Sequence, residues 1–354
     1  MKAAVYNRDI LRIEDVEKPI PGDDQVLIKV RATSVNPLDH GLVKHPLLRR
    51  VLLARSKSKI TRPGRDVAGE IEAVGNNVTK FKPGDQVFGI CGGAFAEYAC
   101  AMETALVMKP PNVTFEQAAA VPLAGLTALQ GLRDAGKIQP GQNVLINGAS
   151  GGIGTFAVQI AKSFGAHVTG VCSTWNVEMV RSIGAERVFD YRRENFTKSG
   201  QRYDVIFDLV SNHSLLACRR ILTPDGIYVG AGAIAAENIW PLLTKMLRLF
   251  TLSWFASRKF VSFMTRVDRD DLNMLAGLLE TGKITPVIDR VYKFNEVDEA
   301  VRYLGERRHA ESRLHLGRGC RKGVVGGSGG EHDEVEFLAR HPGLGERMLG
   351  GRQR

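Results

Sequence analysis

The segment NVLINGASGGIGTFAVQIAKSFG, Asn143 to Gly165, decides the fold. A short β-branched apolar run, NVLIN, ends in Ala149-Ser150-Gly151-Gly152-Ile153-Gly154 and passes directly into an apolar helical pattern. A second strand pattern, His167 to Cys172, follows. Glycines let a backbone approach a pyrophosphate closely, and the free N–H groups and dipole of a helix N-terminus attract its charge. A glycine cluster alone is weak evidence, but strand, turn, helix and strand in this order are the context of a dinucleotide-binding turn. The competing reading is a purely structural turn.

The end of the second strand bears on which dinucleotide. An NAD site places Asp or Glu about 20 residues after the turn, where it grips the ribose 2′-hydroxyl. This chain has Cys172-Ser173-Thr174-Trp175-Asn176 there, with no acid. Ser173 and Thr174 offer hydroxyls to a 2′-phosphate, and Tyr191, Arg192 and Arg193 follow the third strand. The pattern favours NADPH over NADH, with a solvated loop as the alternative for the arginines. Gly148, Gly152 and Gly154 also satisfy the G-x-x-x-G-x-G turn of short-chain dehydrogenases. Those enzymes carry it near the N-terminus with a later Tyr-x-x-x-Lys pair, which is absent downstream here.

On either side of this turn the texture differs. From Met1 to about Met108 the sequence reads as short strands and turns, with VLIKV, DVAGEIEAVG, DQVFGI and FAEYACA, and with PGD at Pro21 and Pro83. After a helical stretch from Phe115, strand patterns NVLIN, HVTGVC, RVFD, YDVIFDLV and GIYVGAG alternate with helical ones. That alternation predicts an α/β fold, a doubly wound parallel sheet covered by helices on both faces. A helix (DLNMLAGLLETGK), a strand (VIDRVYKF) and a helix (EVDEAVRYLG) follow Arg266.

The 354 residues accommodate two domains, and 44% hydrophobic against 24% charged residues is the balance of a globular chain, excluding wholesale disorder. The net charge of +10 is regional. Lys44 to Arg65 holds eight Lys/Arg and no acid, and 307–354 holds ten Lys/Arg against six acids, so the rest is near neutral. A nucleic-acid-coating domain is thereby disfavoured. The segment 307–354 also holds 11 of the 38 glycines and four of the eight histidines, and reads as a disordered tail. Five scattered cysteines without a CxxC pair suit a reducing compartment, and the opening residues carry no apolar run of signal length, so a cytoplasmic protein is expected. Ile239 to Met264 is the most apolar region, but Lys245, Arg248, Arg258 and Lys259 break it below the length of a membrane span.

The order of motifs resembles the medium-chain dehydrogenase/reductase superfamily. Gly64 to Gly89 (GRDVAGEIEAVGNNVTKFKPGDQVFG), Gly92 to Ala99 (GGAFAEYA), Val121 to Leu132 (VPLAGLTALQGL) and the glycine turn carry the likeness, which runs to about Leu304. Within that superfamily the chain is similar to the zinc-independent quinone oxidoreductase branch. The resemblance implies a discontinuous GroES-like catalytic domain over 1–122 and 266–306, and a Rossmann domain over 123–265. It implies that Ser150, Gly151, Gly152 and Ile153 hold the pyrophosphate, that Ser173, Thr174 and Tyr191 hold the 2′-phosphate, and that Thr127, Val210, Gly230 and Ala231 line the nicotinamide side. Asn36 and Asp39 would face the substrate, with turn-forming and capping roles around Pro37 as the alternative. Three departures stand out. Gly64-Arg65-Asp66 replaces the Gly-His-Glu of zinc-dependent relatives and the cysteine quartet is absent, so no metal is expected. Trp175 stands where relatives often have Arg. The closing strand of the type GKVVI gives way to ERRHAESRLHLGRGCRKG, an abrupt change of the kind a shifted reading frame produces.

Together these features imply NADPH-dependent reduction of a small-molecule quinone or α,β-unsaturated carbonyl, with positioning in place of a metal and Asn36 or backbone N–H groups as donors to the acceptor oxygen. The alternative is a catalytically weak NADPH-binding sensor or scaffold. Residues 46–57 (PLLRRVLLARSK) pair leucines with a basic face, the pattern of a peripheral membrane contact, and Ile239 to Met264 offers a second apolar contact or a homodimer interface. A solvated loop and a subunit interface are the plainer readings of these two segments.

Overall fold

The computed structural model describes residues 1–7, 10–37, 39, 62–231, 259–304 and 322–326. Its first half is β, as the pattern of short strands and turns predicts. A hairpin, β1 (Lys2–Asn7) and β2 (Ile10–Asp15), precedes β3 (Gln25–Val35), β4 (Asp66–Val74), β5 (Gln86–Ile90), β6 (Tyr98–Met102) and β7 (Leu106–Met108). The antiparallel ladders β3·β4, β4·β5 and β5·β7 build one curved sheet, and β6 pairs with the N-terminal half of β3. Val26, Ile28 and Val30, at every second position of β3, point with Val67, Ile71 and Leu106 into an apolar core, the period-2 pattern that fixes register.

Helix α1 (Phe115–Ala119) opens on a capping box, in which the Thr114 side chain accepts from the Gln117 N–H and the Gln117 side chain accepts in return from the Thr114 N–H. Pro122 then starts α2 (Pro122–Gln130), a buried helix whose polar side chains are Thr127 and Gln130. The second sheet is parallel: β8 (Asn143–Asn147), α3 (Gly152–Ser163), β9 (His167–Cys172), α4 (Val177–Ser182), β10 (Arg187–Asp190), β11 (Tyr203–Asp208), α5 (Leu215–Ile221), β12 (Leu222–Gly230) and β13 (Lys259–Ser262). Its strand order is β10-β9-β8-β11-β12-β13. This is the doubly wound 3-2-1-4-5-6 arrangement, whose order reverses between β8 and β11. The central strands are buried almost throughout, which explains their continuous apolar runs.

The chain returns through α6 (Arg269–Glu280), β14 (Ile288–Lys293) and a helix over 297–304, α7. Leu272, Leu275 and Leu279 of α6 join one apolar cluster with Ala124, Leu126 and Leu129 of α2 and Phe156 and Ile160 of α3. Two glutamine amides clip the returning backbone to these helices. Gln130 Oε1 accepts from Arg266 N at 3.0 Å while its Nε2 donates to Arg266 O at 2.9 Å. Gln159 does the same with Thr285, at 2.7 and 3.0 Å.

One sequence expectation is corrected here. The composition of 307–354 reads as a tail without structure or closing strand, yet KGVVG, Lys322–Gly326, forms β15. It lies between β14, which it meets in parallel, and β3, which it meets antiparallel. The physical reason is local: two adjacent valines supply strand propensity, and the facing backbones of β3 and β14 supply hydrogen-bond partners that a 48-residue average conceals. The rest of 307–354 lies outside the described residues, as do 46–57, most of the basic run and 239–258 of the apolar region. Of that region's end, Lys259–Ser262 forms the sixth parallel strand with Phe260 buried. Among the described residues no helix is long and apolar enough to cross a membrane.

Candidate active site

The glycine turn lies at the C-terminal end of β8. Gly148 has φ +92°, a left-handed conformation that favours glycine. The N–H groups of Gly148 and Ala149 both donate to Val171 O, at 3.1 and 3.0 Å, which draws the turn over the end of β9. Gly151 is the N-cap of α3 and no side chain caps that helix. Gly154 lies so close to the Gly148 carbonyl oxygen that an added Cβ would overlap it. The structure therefore brings Ser150, Gly151, Gly152 and Ile153 together at an uncapped helix N-terminus against a packed turn, a cradle that fits a pyrophosphate.

Beside it, β9 and β10 end in register, with Cys172 opposite Asp190. Ser173 is buried, and its Oγ accepts from Asn176 Nδ2 at 3.0 Å. Thr174 Oγ1 donates to Asp190 Oδ2 at 2.6 Å, and Arg192 N donates to Asp190 Oδ1 at 3.1 Å. Arg193 Nε stands 3.5 Å from Asp190 Oδ2. Tyr191 N donates to Cys172 O at 3.1 Å, so the third strand's loop is tied to the second strand's end. Trp175 is 67% exposed at this corner. The sequence pattern showed no acid at the end of the second strand; Asp190 arrives there from the neighbouring strand, a placement only sheet register reveals.

On the other side of the turn, β11 ends in Asp208, a second residue that sequence reasoning passed over. Its Oδ1 accepts from Asn147 Nδ2 at 2.9 Å, Val210 N at 3.1 Å and Ser211 N at 2.7 Å, and its Oδ2 accepts from Tyr228 Oη at 2.7 Å. Burial first, and then the Asp208 charge, hold the Tyr228 phenol well above its ordinary range. These bonds shape the loop after β11, where Val210 is 52% exposed and Ser211 has φ +61°. Ala231 N donates to Asp208 O at 3.1 Å, which sets Gly230 and Ala231 alongside. A signal was present in the sequence, since an acid closing the apolar run Val205 to Phe207 needs buried partners.

The β-rich domain contributes a buried carboxylate pair. Asp66, at the start of β4, accepts from Ser34 Oγ and from Asn36 Nδ2 at 3.1 Å on Oδ2, and from Leu123 N at 2.9 Å on Oδ1. One turn along α2 from Leu123, Thr127 Oγ1 donates to Leu123 O at 2.6 Å and lies 2.8 Å from Thr265 Oγ1. Asp39 accepts from Asn36 N at 2.8 Å and Gly64 N at 3.3 Å, and Asp39 N donates to Asn36 O at 3.0 Å. Burial pushes the Asp39 carboxyl up to about 6, against the pull of the Asn36 N–H and with the aid of the Asp66 charge. Asn36 and Asp39 are thus both buried in one closed turn. The Asn36 amide, expected as a donor to an acceptor oxygen, donates to Asp66 Oδ2 and lies 3.4 Å from Ser34 O and Oγ. A surface hollow of about 290 Å³ beside Lys198, Arg202 and Arg220 lies at the opposite end of β11 and β12, where Arg202 donates to the carbonyls of Arg220 and Leu222 at the end of α5.

Comparison with known proteins follows the same division. A family model described as the alcohol dehydrogenase GroES-like domain matches residues 22–111, and one described as zinc-binding dehydrogenase matches 183–310. A chloroplastic quinone oxidoreductase of Triphysaria versicolor is 33% identical over 314 residues, covering 83% of this chain and 91% of the relative. The chain belongs to the medium-chain dehydrogenase/reductase superfamily. It sits with the quinone-oxidoreductase-like members of that nicotinamide-dependent family. A trans-enoyl reductase of Aspergillus terreus is 34% identical over 323 residues, 86% of each chain. The solved quinone oxidoreductase of Coxiella burnetii is 26% identical with a TM-score of 0.75, covering 92% of this chain and 98% of that one. In this dehydrogenase/reductase both carboxylate oxygens of Asp66 are already bound by Ser34, Asn36 and Leu123, and exposed Arg65 precedes it. Among the described residues no group of three His, Cys, Asp or Glu is placed to hold a metal ion.

Proposed function

We propose that this chain is an NADPH-dependent oxidoreductase that reduces a quinone or an α,β-unsaturated carbonyl without zinc. The observation that carries the reading is the uncapped α3 N-terminus packed against the Gly148 turn at the reversal point of the 3-2-1-4-5-6 sheet. Ser150, Gly151, Gly152 and Ile153 would hold the pyrophosphate. Ser173, Thr174, Tyr191 and the two arginines after it would take the 2′-phosphate corner. Thr127, Val210, Gly230 and Ala231 would border the nicotinamide. When bound, the dinucleotide supplies a hydride.

What this chain's own residues do is position and seal. Asp208 fixes the Val210 loop through two backbone N–H groups, and Asp66 joins the Asn36 turn to the start of the Thr127 helix. Conjugated acceptors suit such a site, because they take hydride at carbon and spread the resulting charge, needing donors at oxygen and a solvent proton. With Asn36 Nδ2 engaged by Asp66, backbone N–H groups are the donors this reading favours. The Asp66 arrangement also supports independence from zinc, since both of its oxygens are occupied and Arg65 adds a cation beside it. The engaged Asn36 amide equally favours a second reading, an NADPH-binding protein with negligible turnover.

A panel of small quinones and enones, assayed for loss of NADPH absorbance beside NADH and after chelation, tests the reading. Acceptor-dependent NADPH oxidation that survives chelation is expected. Tight NADPH binding with no oxidation by any acceptor would select the second reading, and no dinucleotide binding at all would refute both.

A further inference from the structure

We propose that Asp190 sets this protein's choice between NADPH and NADH by opposing the 2′-phosphate; the proposal rests on the dinucleotide reading above and deepens it. The carboxylate is 8% exposed and lies in the wall of the corner where β9 and β10 end together. It acts there in three ways. The Thr174 hydroxyl has one proton, and at 2.6 Å that proton is committed to Asp190 Oδ2. The Arg193 guanidinium, at 3.5 Å, is turned back toward the same oxygen. A full negative charge also stands beside Ser173, where a phosphate dianion would have to settle.

A ribose 2′-hydroxyl meets none of these obstacles. A carboxylate offers about four acceptor positions. Thr174 and the Arg192 N–H occupy two of them among the described residues, with the Arg193 guanidinium 3.5 Å from Oδ2, which leaves acceptor capacity for a hydroxyl donor. Asp190 therefore reproduces, from the third strand, the acidic grip that NAD sites take from the end of the second. The arginines after Tyr191 still favour the phosphate, so the two influences oppose one another. The consequence is a cofactor preference held close to balance.

The test uses the full-length protein and measures dissociation constants by calorimetry for NADPH, NADH, 2′,5′-ADP and 5′-AMP, in the natural protein and in Asp190→Asn. The natural protein should bind NADPH and NADH within about tenfold of each other. Asp190→Asn should shift the ratio toward NADPH by about tenfold, the scale of one partly screened charge at close range. Binding of 2′,5′-ADP should tighten in parallel, while 5′-AMP stays within about twofold. A ratio that moves by less than about twofold in Asp190→Asn overturns the proposal while leaving the dinucleotide reading intact. So does a natural protein that already prefers NADPH by more than about a hundredfold, a result that needs no variant and stands even if Asp190→Asn fails to fold. If the natural protein binds neither dinucleotide, the underlying reading and this proposal fall together.

Discussion

Replacing Gly154 by alanine is the sharpest perturbation of the glycine turn. The added Cβ would overlap the Gly148 carbonyl oxygen by about 1 Å and would sit 2.9 Å from the Ala149 Cα. Both neighbours are backbone, so no rotamer change relieves the contact. Either α3 must retreat from β8 or the turn must open. Helix α3 is pinned on its other side by Phe156, Ala157, Ile160 and Ala161 in the central core, so its retreat loosens that packing. Overpacking of this kind costs about 1–3 kcal/mol. Any gain from alanine's better helix propensity, at most about 1 kcal/mol, leaves a net loss. A shift of the helix N-terminus also misaligns the donors for a pyrophosphate, and a loss of about tenfold to a hundredfold in NADPH affinity follows. Gly277→Ala on α6 is the matched control, because nothing lies within 4 Å of its added Cβ. Thermal melting and calorimetry on both variants make the comparison. A Gly154→Ala protein as stable as Gly277→Ala, with unchanged NADPH affinity, would refute the packing argument.

Other residues give further expectations. Asp208→Ala removes the acceptor of the Val210 and Ser211 N–H groups and of the Tyr228 hydroxyl, and should cost about 2–4 kcal/mol in denaturant unfolding while raising the Kd for NADPH. Asp66→Ala removes the acceptor shared by Ser34, Asn36 and Leu123, and should destabilise by a similar amount, about 2–4 kcal/mol, with domain-joining α2 affected first in hydrogen exchange. Asp39 has a folded-state pKa raised from 3.8 to about 6, so the folded protein binds its proton more tightly than the unfolded chain. Its contribution to stability therefore falls as pH rises from about 4 to about 6, so the natural-minus-variant stability difference for Asp39→Asn should fall across that range, while the variant's own profile lacks that slope.

The glycine turn was legible because everything it requires is contiguous: a strand, closely spaced glycines and a helix start. The doubly wound sheet followed from the alternation of patterns around it. Asp190 and Asp208 were not legible as site residues, because each acquires its role from a strand register that brings Cys172 or Asn147 alongside. Asn36 was singled out from its segment, but its partner Asp66 lies 30 residues away in sequence, so the hydrogen bond of its amide could not be read from SVNPLDHGL. The closing strand was missed for the opposite reason. KGVVG is short, sits among glycines and arginines, and gains its partners only when β3 and β14 present open edges.

The most direct measurement follows the hydride itself. The purified protein is incubated with NADPH carrying deuterium at nicotinamide C4 and with an enone that it consumes, and the product is read by mass spectrometry and NMR. Deuterium from one face of the nicotinamide should appear at a product carbon, one atom per NADPH oxidised, before and after chelation. NADPH that stays unoxidised, or deuterium that never reaches the acceptor, would contradict direct hydride transfer at the glycine-turn cleft.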